Sequence, residues 1–136
     1  MPLYLPIFIN KNIVLRSFIV LLTLTLNSCG NSETKKTDLI YKNGSQKVEI
    51  QILNGNDYLE YDKPTETNFV LTNIEPNTFS VYGAGIHVLG TIDSTMKTEI
   101  KVPNNHLKTD TLKVKIRFGE KREKKHEFNI PMKIKE

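Results

Sequence analysis

The chain has 136 residues, 38% of them hydrophobic, and a formal net charge of +4, which suits a single globular domain. Its single cysteine excludes a disulfide within the chain and a zinc site made of several cysteines. The folded part must therefore draw its stability from a hydrophobic core, which chains of about 55–65 residues can already build.

The first 28 residues differ from the rest of the chain. They contain no acidic residue, carry Lys11 and Arg16, and then run through the mostly apolar residues 17–26. A basic start, an apolar stretch of about ten residues and a small residue before a cleavage site are typical of a secretory signal. A retained membrane anchor is the alternative, although Arg16 interrupts the roughly 20 apolar residues that a spanning helix needs.

The only cysteine follows this segment directly. Leu26-Asn27-Ser28-Cys29 resembles the bacterial lipobox, which has an aliphatic residue three positions before the cysteine and a small residue directly before it. The resemblance implies that residues 1–28 are a lipoprotein signal peptide and that Cys29 is acylated on its sulfur and then on its new amino group. A thiolate is the nucleophile that such thioether formation needs, and two or more acyl chains give stable anchoring. The alternative is an ordinary signal peptide cut nearby, which would leave a free thiol.

Residues 29–38 are predicted to be the lipidated cysteine and a flexible tether, because they are small and polar. Gly30, in place of an aspartate after the cysteine, indicates the outer membrane by analogy with the best-known sorting rule. The acidic cluster that sends some lipoproteins to the cell surface is reduced here to isolated Glu33 and Asp38. We therefore expect an outer-membrane lipoprotein of the cell envelope that faces either the periplasm or the cell surface.

From residue 39 onward, apolar and polar residues alternate with the period of two that is typical of strands with one buried face. Turn-forming residues separate the runs, among them Asn43-Gly44 and Asn54-Gly55. The clearest runs are residues 47–52, 111–118 and 127–134, and weaker strand signals are residues 39–41, 68–74, 78–82, 86–89 and 99–102.

Several short strands without helical spacing predict an all-β fold. We expect a single immunoglobulin-like antiparallel β-sandwich of about seven strands over residues 39–136, after the N-terminal signal segment. The last two strands, joined by residues 119–125, are predicted to form a hairpin. Pro131 cannot donate a ladder hydrogen bond, so the final strand is predicted to lie at a sheet edge there.

Four segments carry a resemblance to a known group of proteins: residues 68–74 (NFVLTNI), 81–86 (VYGAGI), 112–116 (LKVKI) and 128–131 (FNIP). They are similar to the immunoglobulin-like domains of small Bacteroidetes-type lipoproteins, and to the C-terminal sandwich domains of the gliding-motility (type IX secretion) M protein. The similarity spans roughly residues 45–135 and rests mostly on strand alternation. The cysteine pair and the tryptophan of antibody-type domains are absent from this span.

The residues that could suggest a cofactor, a metal site or catalysis do not match the motifs that such sites require. In residues 83–90 the third glycine falls two positions too late for the dinucleotide motif G-x-G-x-x-G, so a bulge or a tight turn is predicted. His87, His106 and His126 form no H-x-x-x-H pair, and no serine lies in a G-x-S-x-G turn. We therefore expect no metal site, no cofactor and no enzymatic activity.

An acidic segment follows Asn54-Gly55. Its carboxylates could supply oxygen ligands for weak calcium binding, although their spacing matches no EF-hand loop and a solvated turn is the alternative; they are Asp57, Glu60, Asp62 and Glu66. Sugar rings usually stack on exposed aromatic side chains. The candidate ligand loop for a glycan is therefore Asp57, Tyr58, Tyr61 and Asp62.

Charge is distributed unevenly along the chain. Residues 54–100 carry seven acidic and two basic residues, whereas residues 111–136 carry nine basic and four acidic residues. The basic residues of the last hairpin form a candidate patch for an anionic partner: Lys113, Lys115, Arg117, Lys121, Arg122, Lys124 and Lys125. The alternative is a solvated hairpin with edge-protecting lysines.

These features predict a lipoprotein attached to the membrane by its lipid, whose sandwich domain is a non-catalytic binding or structural module in the bacterial cell envelope. Its expected partner is another envelope protein. The alternative is a carbohydrate-binding surface module. Nucleic acid is not an expected partner of an exported protein whose basic residues lack interleaved aromatics, and the sequence leaves the oligomeric state open.

Overall fold

The computed structural model describes residues 38–134. The predicted signal peptide, Cys29 and the tether up to residue 37 lie outside the described residues. No helix in the described part is long and apolar enough to cross a membrane. Nine strands follow one another in it: β1 (Ile40–Asn43), β2 (Gln46–Ile52), β3 (Leu59–Glu60), β4 (Thr65–Thr72), β5 (Ser80–Tyr82), β6 (Ile86–Ile92), β7 (Thr95–Ile100), β8 (Thr111–Phe118) and β9 (Lys124–Lys133).

The strands form two sheets that enclose one core. The five-stranded sheet has the order β1-β2-β4-β7-β6, and the four-stranded sheet has the order β3-β9-β8-β5. Neighbouring strands are antiparallel, except that β3 pairs with β9 in parallel. The chain therefore crosses between the sheets after β2 and again after β3, β4, β5 and β7.

Seven of these strands have the connectivity of a constant-type immunoglobulin domain, in which strands A-B-E-D face strands C-F-G. Taken in chain order, β2, β4, β5, β6, β7, β8 and β9 occupy the places A to G. The prediction of an all-β sandwich is confirmed. β1 matches the weak strand signal at residues 39–41, and the two-residue strand β3 is an addition that the sequence did not predict.

Alternation along the strands builds the core, because successive side chains point to opposite faces. In β8, the side chains of Leu112, Val114, Ile116 and Phe118 are at most 1% exposed, while the residues between them face water. Two buried threonines are satisfied by each other: the hydroxyls of Thr67 and Thr98 lie 2.5 Å apart, and that of Thr98 also donates to the Thr67 carbonyl.

Strand boundaries differ from the predicted ones where polar residues enter the core or a hairpin extends a strand. β4 begins at Thr65 rather than at residue 68, because Thr65 and Thr67 alternate inward ahead of Phe69. β6 continues to Ile92 because it pairs with β7 as far as the Ile92–Thr95 pair. At Pro131, β9 pairs with β8 on one side. Its other side has no strand at this residue, because β3 pairs only with Met132 and Lys133.

Candidate functional site

The outer side of the four-stranded sheet presents four cations that we call the basic face: Lys113, Lys115, Arg117 and Lys125. The first three alternate with buried residues of β8, so all three must point to the solvent side of the sheet. Lys125 joins them from β9, where it lies directly opposite Arg117. The side chains of Lys113 and Lys115 are each 65% exposed.

One carboxylate lies beside Lys113 and Lys115, the part of the basic face farther from the β8–β9 turn. Glu127 lies opposite Lys115 in the β8–β9 register. One of its oxygens lies 3.3 Å from the Lys113 ammonium and the other 4.0 Å from the Lys115 ammonium. Exposed pairs of this kind are worth about 0–1 kcal/mol, so Glu127 offsets part of the charge and leaves both lysines accessible.

Arg117 and Lys125, the part of the basic face nearer the β8–β9 turn, have no such carboxylate beside them among the described residues. Arg117 and Lys125 are direct cross-strand neighbours of the same charge, an arrangement that is unfavourable on a sheet surface. Arg117 also lies over the ring of Tyr82 from β5, with its guanidinium carbon 5.8 Å from the ring centroid. The ring is 48% exposed, so an arginine, a lysine and an aromatic edge are accessible together.

The structure separates the other three residues of the predicted patch from the basic face. Lys121 and Arg122 lie at the exposed tip of the β8–β9 hairpin, where Arg122 adopts a positive φ of 52°. Lys124 points toward the core side of β9, where its ammonium hydrogen-bonds to the side-chain oxygen of Gln46 and lies 5.8 Å from the Phe118 ring centroid. The sequence could not show this, because Gln46 belongs to β2 of the other sheet and meets Lys124 only where the two sheets pack together.

The predicted ligand loop does not converge on a single site. Tyr61 is 7% exposed, and its hydroxyl lies 3.4 Å from a carboxylate oxygen of Asp110; burial, followed by that carboxylate, raises the pKa of Tyr61. Asp62 accepts a hydrogen bond from the backbone N–H of Asn104, and Asp57 is exposed. Tyr58 remains the aromatic residue of this loop near the surface, with the Lys133 ammonium 3.8 Å from its ring centroid.

The three histidines lie in different places. His87 and His106 are exposed, whereas His126 lies on the core side of β9, stacked on Tyr41 with centroids 4.1 Å apart. Burial lowers the pKa of His126, and the charges of Asp38 and Glu127 oppose this shift. Among the described residues, no group of three His, Cys, Asp or Glu side chains is placed to hold a metal ion.

The glycines of residues 83–90 shape a turn and a bulge. Gly85 has a φ of +71°, and a Cβ there would lie 2.1 Å from the Lys101 carbonyl oxygen, so only glycine fits this close approach. The bulge lies in β6, where Val88 pairs with Thr98 and Gly90 with Lys97, which leaves Leu89 without a partner of its own. The sequence indicated a bulge or a turn here and missed the length and exposure of β6.

Comparison of the chain with protein-family models, with curated proteins and with solved structures finds no match. The resemblance to immunoglobulin-like lipoprotein domains therefore stays a prediction.

Proposed function

We propose that this protein is a lipid-anchored, non-catalytic binding module of the bacterial cell envelope, and that its basic face docks on an acidic surface of another envelope protein. The observation that carries the proposal is the cross-strand juxtaposition of Arg117 and Lys125 on an exposed sheet face, with no carboxylate between them in the described residues. The lipobox-like residues 26–29 support the anchor.

The chemistry of this face favours a carboxylate-bearing partner. Like charges directly opposite each other on neighbouring strands repel, and an acidic side chain between Arg117 and Lys125 would convert that repulsion into two attractions. An arginine can bind a carboxylate through two parallel N–H bonds. Because the face is exposed, its contacts should weaken as salt rises toward and above about 0.15 M, where the screening length is about 8 Å.

Charge reversal on this face tests the proposal. We expect the triple variant Lys113→Glu, Lys115→Glu, Arg117→Glu to fold and to melt close to the wild type, because its three side chains face water and the repulsion between residue 115 and Glu127 is offset by the attraction between residue 117 and Lys125. We expect it to lose a salt-sensitive partner in pull-downs from detergent-solubilised membranes. A matched control reverses three exposed lysines elsewhere: Lys42, Lys97 and Lys101.

The outcomes separate the alternatives. Loss of a protein partner in the triple variant alone supports the proposal. Retention of every partner would show that the face is only a solvated strand surface. Binding of the wild type to vesicles with anionic lipids, in place of any protein, would reassign the same face to a lipid surface and contradict the envelope-protein partner.

A carbohydrate ligand is the second candidate. The specific observation in its favour is Tyr58, whose ring lies beside the Lys133 ammonium at the edge of a shallow depression that Glu60, Lys63 and Asp110 also line. The buried ring of Tyr61 removes one of the two aromatic platforms that the sequence suggested. The basic face is therefore the better supported site.

A further inference from the structure

β6 is a long uncovered edge of the described sandwich. The other edge strands are short: β1 has four residues, β3 has two and β5 has three, whereas β6 has seven. An edge strand presents a row of unpaired N–H and C=O groups that can pair with another strand. β9 is also free of a neighbour over residues 124–131, but it carries Lys124, Lys125, Glu127 and Pro131, which protect an edge, so β6 is the less protected place for a further strand.

The side chains of β6 do not guard this edge with charge. Its seven residues include no lysine, arginine, aspartate, glutamate or proline, although proteins usually protect an exposed edge with lysines or prolines. Three of its apolar side chains are about half exposed: Val88 is 50%, Leu89 is 55% and Ile92 is 58% exposed. The bulge at Leu89 is the protective feature that β6 does have, and it restricts which registers a partner strand can use.

We infer that β6 pairs antiparallel with β6 of a second copy of this chain, so that the two five-stranded sheets join across a two-fold axis. The absence of charge favours a second copy, because self-pairing of this strand opposes no like charges. With Ile86 opposite Thr91 of the second copy, Asp93, the acidic residue nearest to the end of β6, would lie opposite Ala84 of the second copy. The two copies of Asp93 would therefore not face each other. A two-fold contact also uses the same surface on both partners.

The faces of β6 and its bulge restrict the register of this pairing. Ile86, Val88 and Thr91 point to the core side of the sheet, because they lie opposite the buried residues Ile100, Thr98 and Met96. Side chains that oppose each other in a sheet must share a face. Among the registers that satisfy this rule, the one that sets the two bulges opposite each other places Ile86 opposite Thr91 of the second copy, and Val88 opposite Leu89 of the second copy, at the centre of the contact.

Sedimentation equilibrium of the membrane-extracted full chain, in density-matched detergent, tests the dimer. We expect the protein mass to rise with concentration to twice that of one chain, and Leu89→Lys to stay monomeric because it places two ammonium groups at the centre of the contact. Leu53→Lys is the matched control: Leu53 is 52% exposed and lies outside β6. Circular dichroism melts establish that both variants fold.

Two outcomes would overturn the inference. A wild type that stays monomeric throughout the concentration series would exclude self-pairing, including the case in which another protein or the chain's own N-terminal residues cover β6. A Leu89→Lys variant that dimerises as the wild type does would place any contact elsewhere.

Disulfide formation tests the register independently. Facing residues of antiparallel strands have Cα atoms about 4.5–5.5 Å apart, within the range that a disulfide requires. A mixture of Ile86→Cys and Thr91→Cys chains should therefore cross-link, whereas Thr91→Cys alone should not, since its two copies would lie about 17 Å apart along the strands. Equal cross-linking of the mixture and of Thr91→Cys alone would contradict this register, and the wild type controls for Cys29.

Discussion

The imidazole of His126 lies between two aromatic rings, with centroids 4.1 Å from Tyr41 and 4.7 Å from Phe128. Burial there lowers its pKa in the folded state, against the opposing charges of Asp38 and Glu127. In the unfolded chain a histidine titrates near pH 6.5. At pH values just below this, the unfolded state binds more protons than the folded state, so acid favours unfolding.

We therefore predict that the contribution of His126 to stability is fully present above about pH 6.5 and is lost as the pH falls toward the lowered folded pKa. Urea unfolding of the wild type between about pH 5 and 7.5 should show a free energy that falls with acid. His126→Gln should flatten this slope, whereas the control His106→Gln, at an exposed position, should keep it. An unchanged slope in His126→Gln would show that protonation of His126 is not coupled to unfolding.

Neighbouring residues of one strand contribute unequally to the free energy of unfolding, because one side chain is buried in the core and the next faces solvent. In β8, Ile116 is 0% exposed, while the Lys115 side chain is 65% exposed and 4.0 Å from Glu127. The same truncation should therefore have unequal effects at adjacent residues.

We predict that Ile116→Ala lowers the free energy of unfolding by about 2–5 kcal/mol, because it removes buried methyl groups and leaves a cavity. Lys115→Ala should change it by less than about 0.5 kcal/mol, since it removes a solvated charge with a weak ion pair. Denaturant midpoints at unchanged m-value measure both effects. Similar losses for the two variants would contradict the assignment of faces in β8.

At the scale of the whole molecule, the sandwich supplies its own core from residues 38–134, and the proposed attachment to the membrane depends on one atom outside them, the Cys29 sulfur. We predict that metabolic labelling with a fatty acid marks the wild type, and that Cys29→Ser loses both the label and fractionation with membranes. A serine variant that stays in the membrane fraction would show that the apolar N-terminal segment is itself the anchor.

The sequence alone determined the class of the fold and the faces of its clearest strands. Alternation in residues 47–52, 111–118 and 127–134 is a local property: the pleated backbone sends successive side chains to opposite sides whatever the strand pairs with. This is why the outward direction of Lys113, Lys115 and Arg117 and the inward direction of Ile116 could be read from the chain.

Only the tertiary structure decided which residues meet across strands, because the register of a hairpin depends on its turn, and the other pairings depend on bulges and on the packing of both sheets. It placed Lys125 opposite Arg117 and Glu127 opposite Lys115, and it turned Lys124 toward Gln46. It also left β6 at an edge, since its neighbour β7 pairs on its other side with β4, from much earlier in the chain. The pairing of charges on the basic face follows from the register of the β8–β9 hairpin, and the exposure of β6 follows from the long-range pairing of β7 with β4, neither of which the alternation of residues encodes.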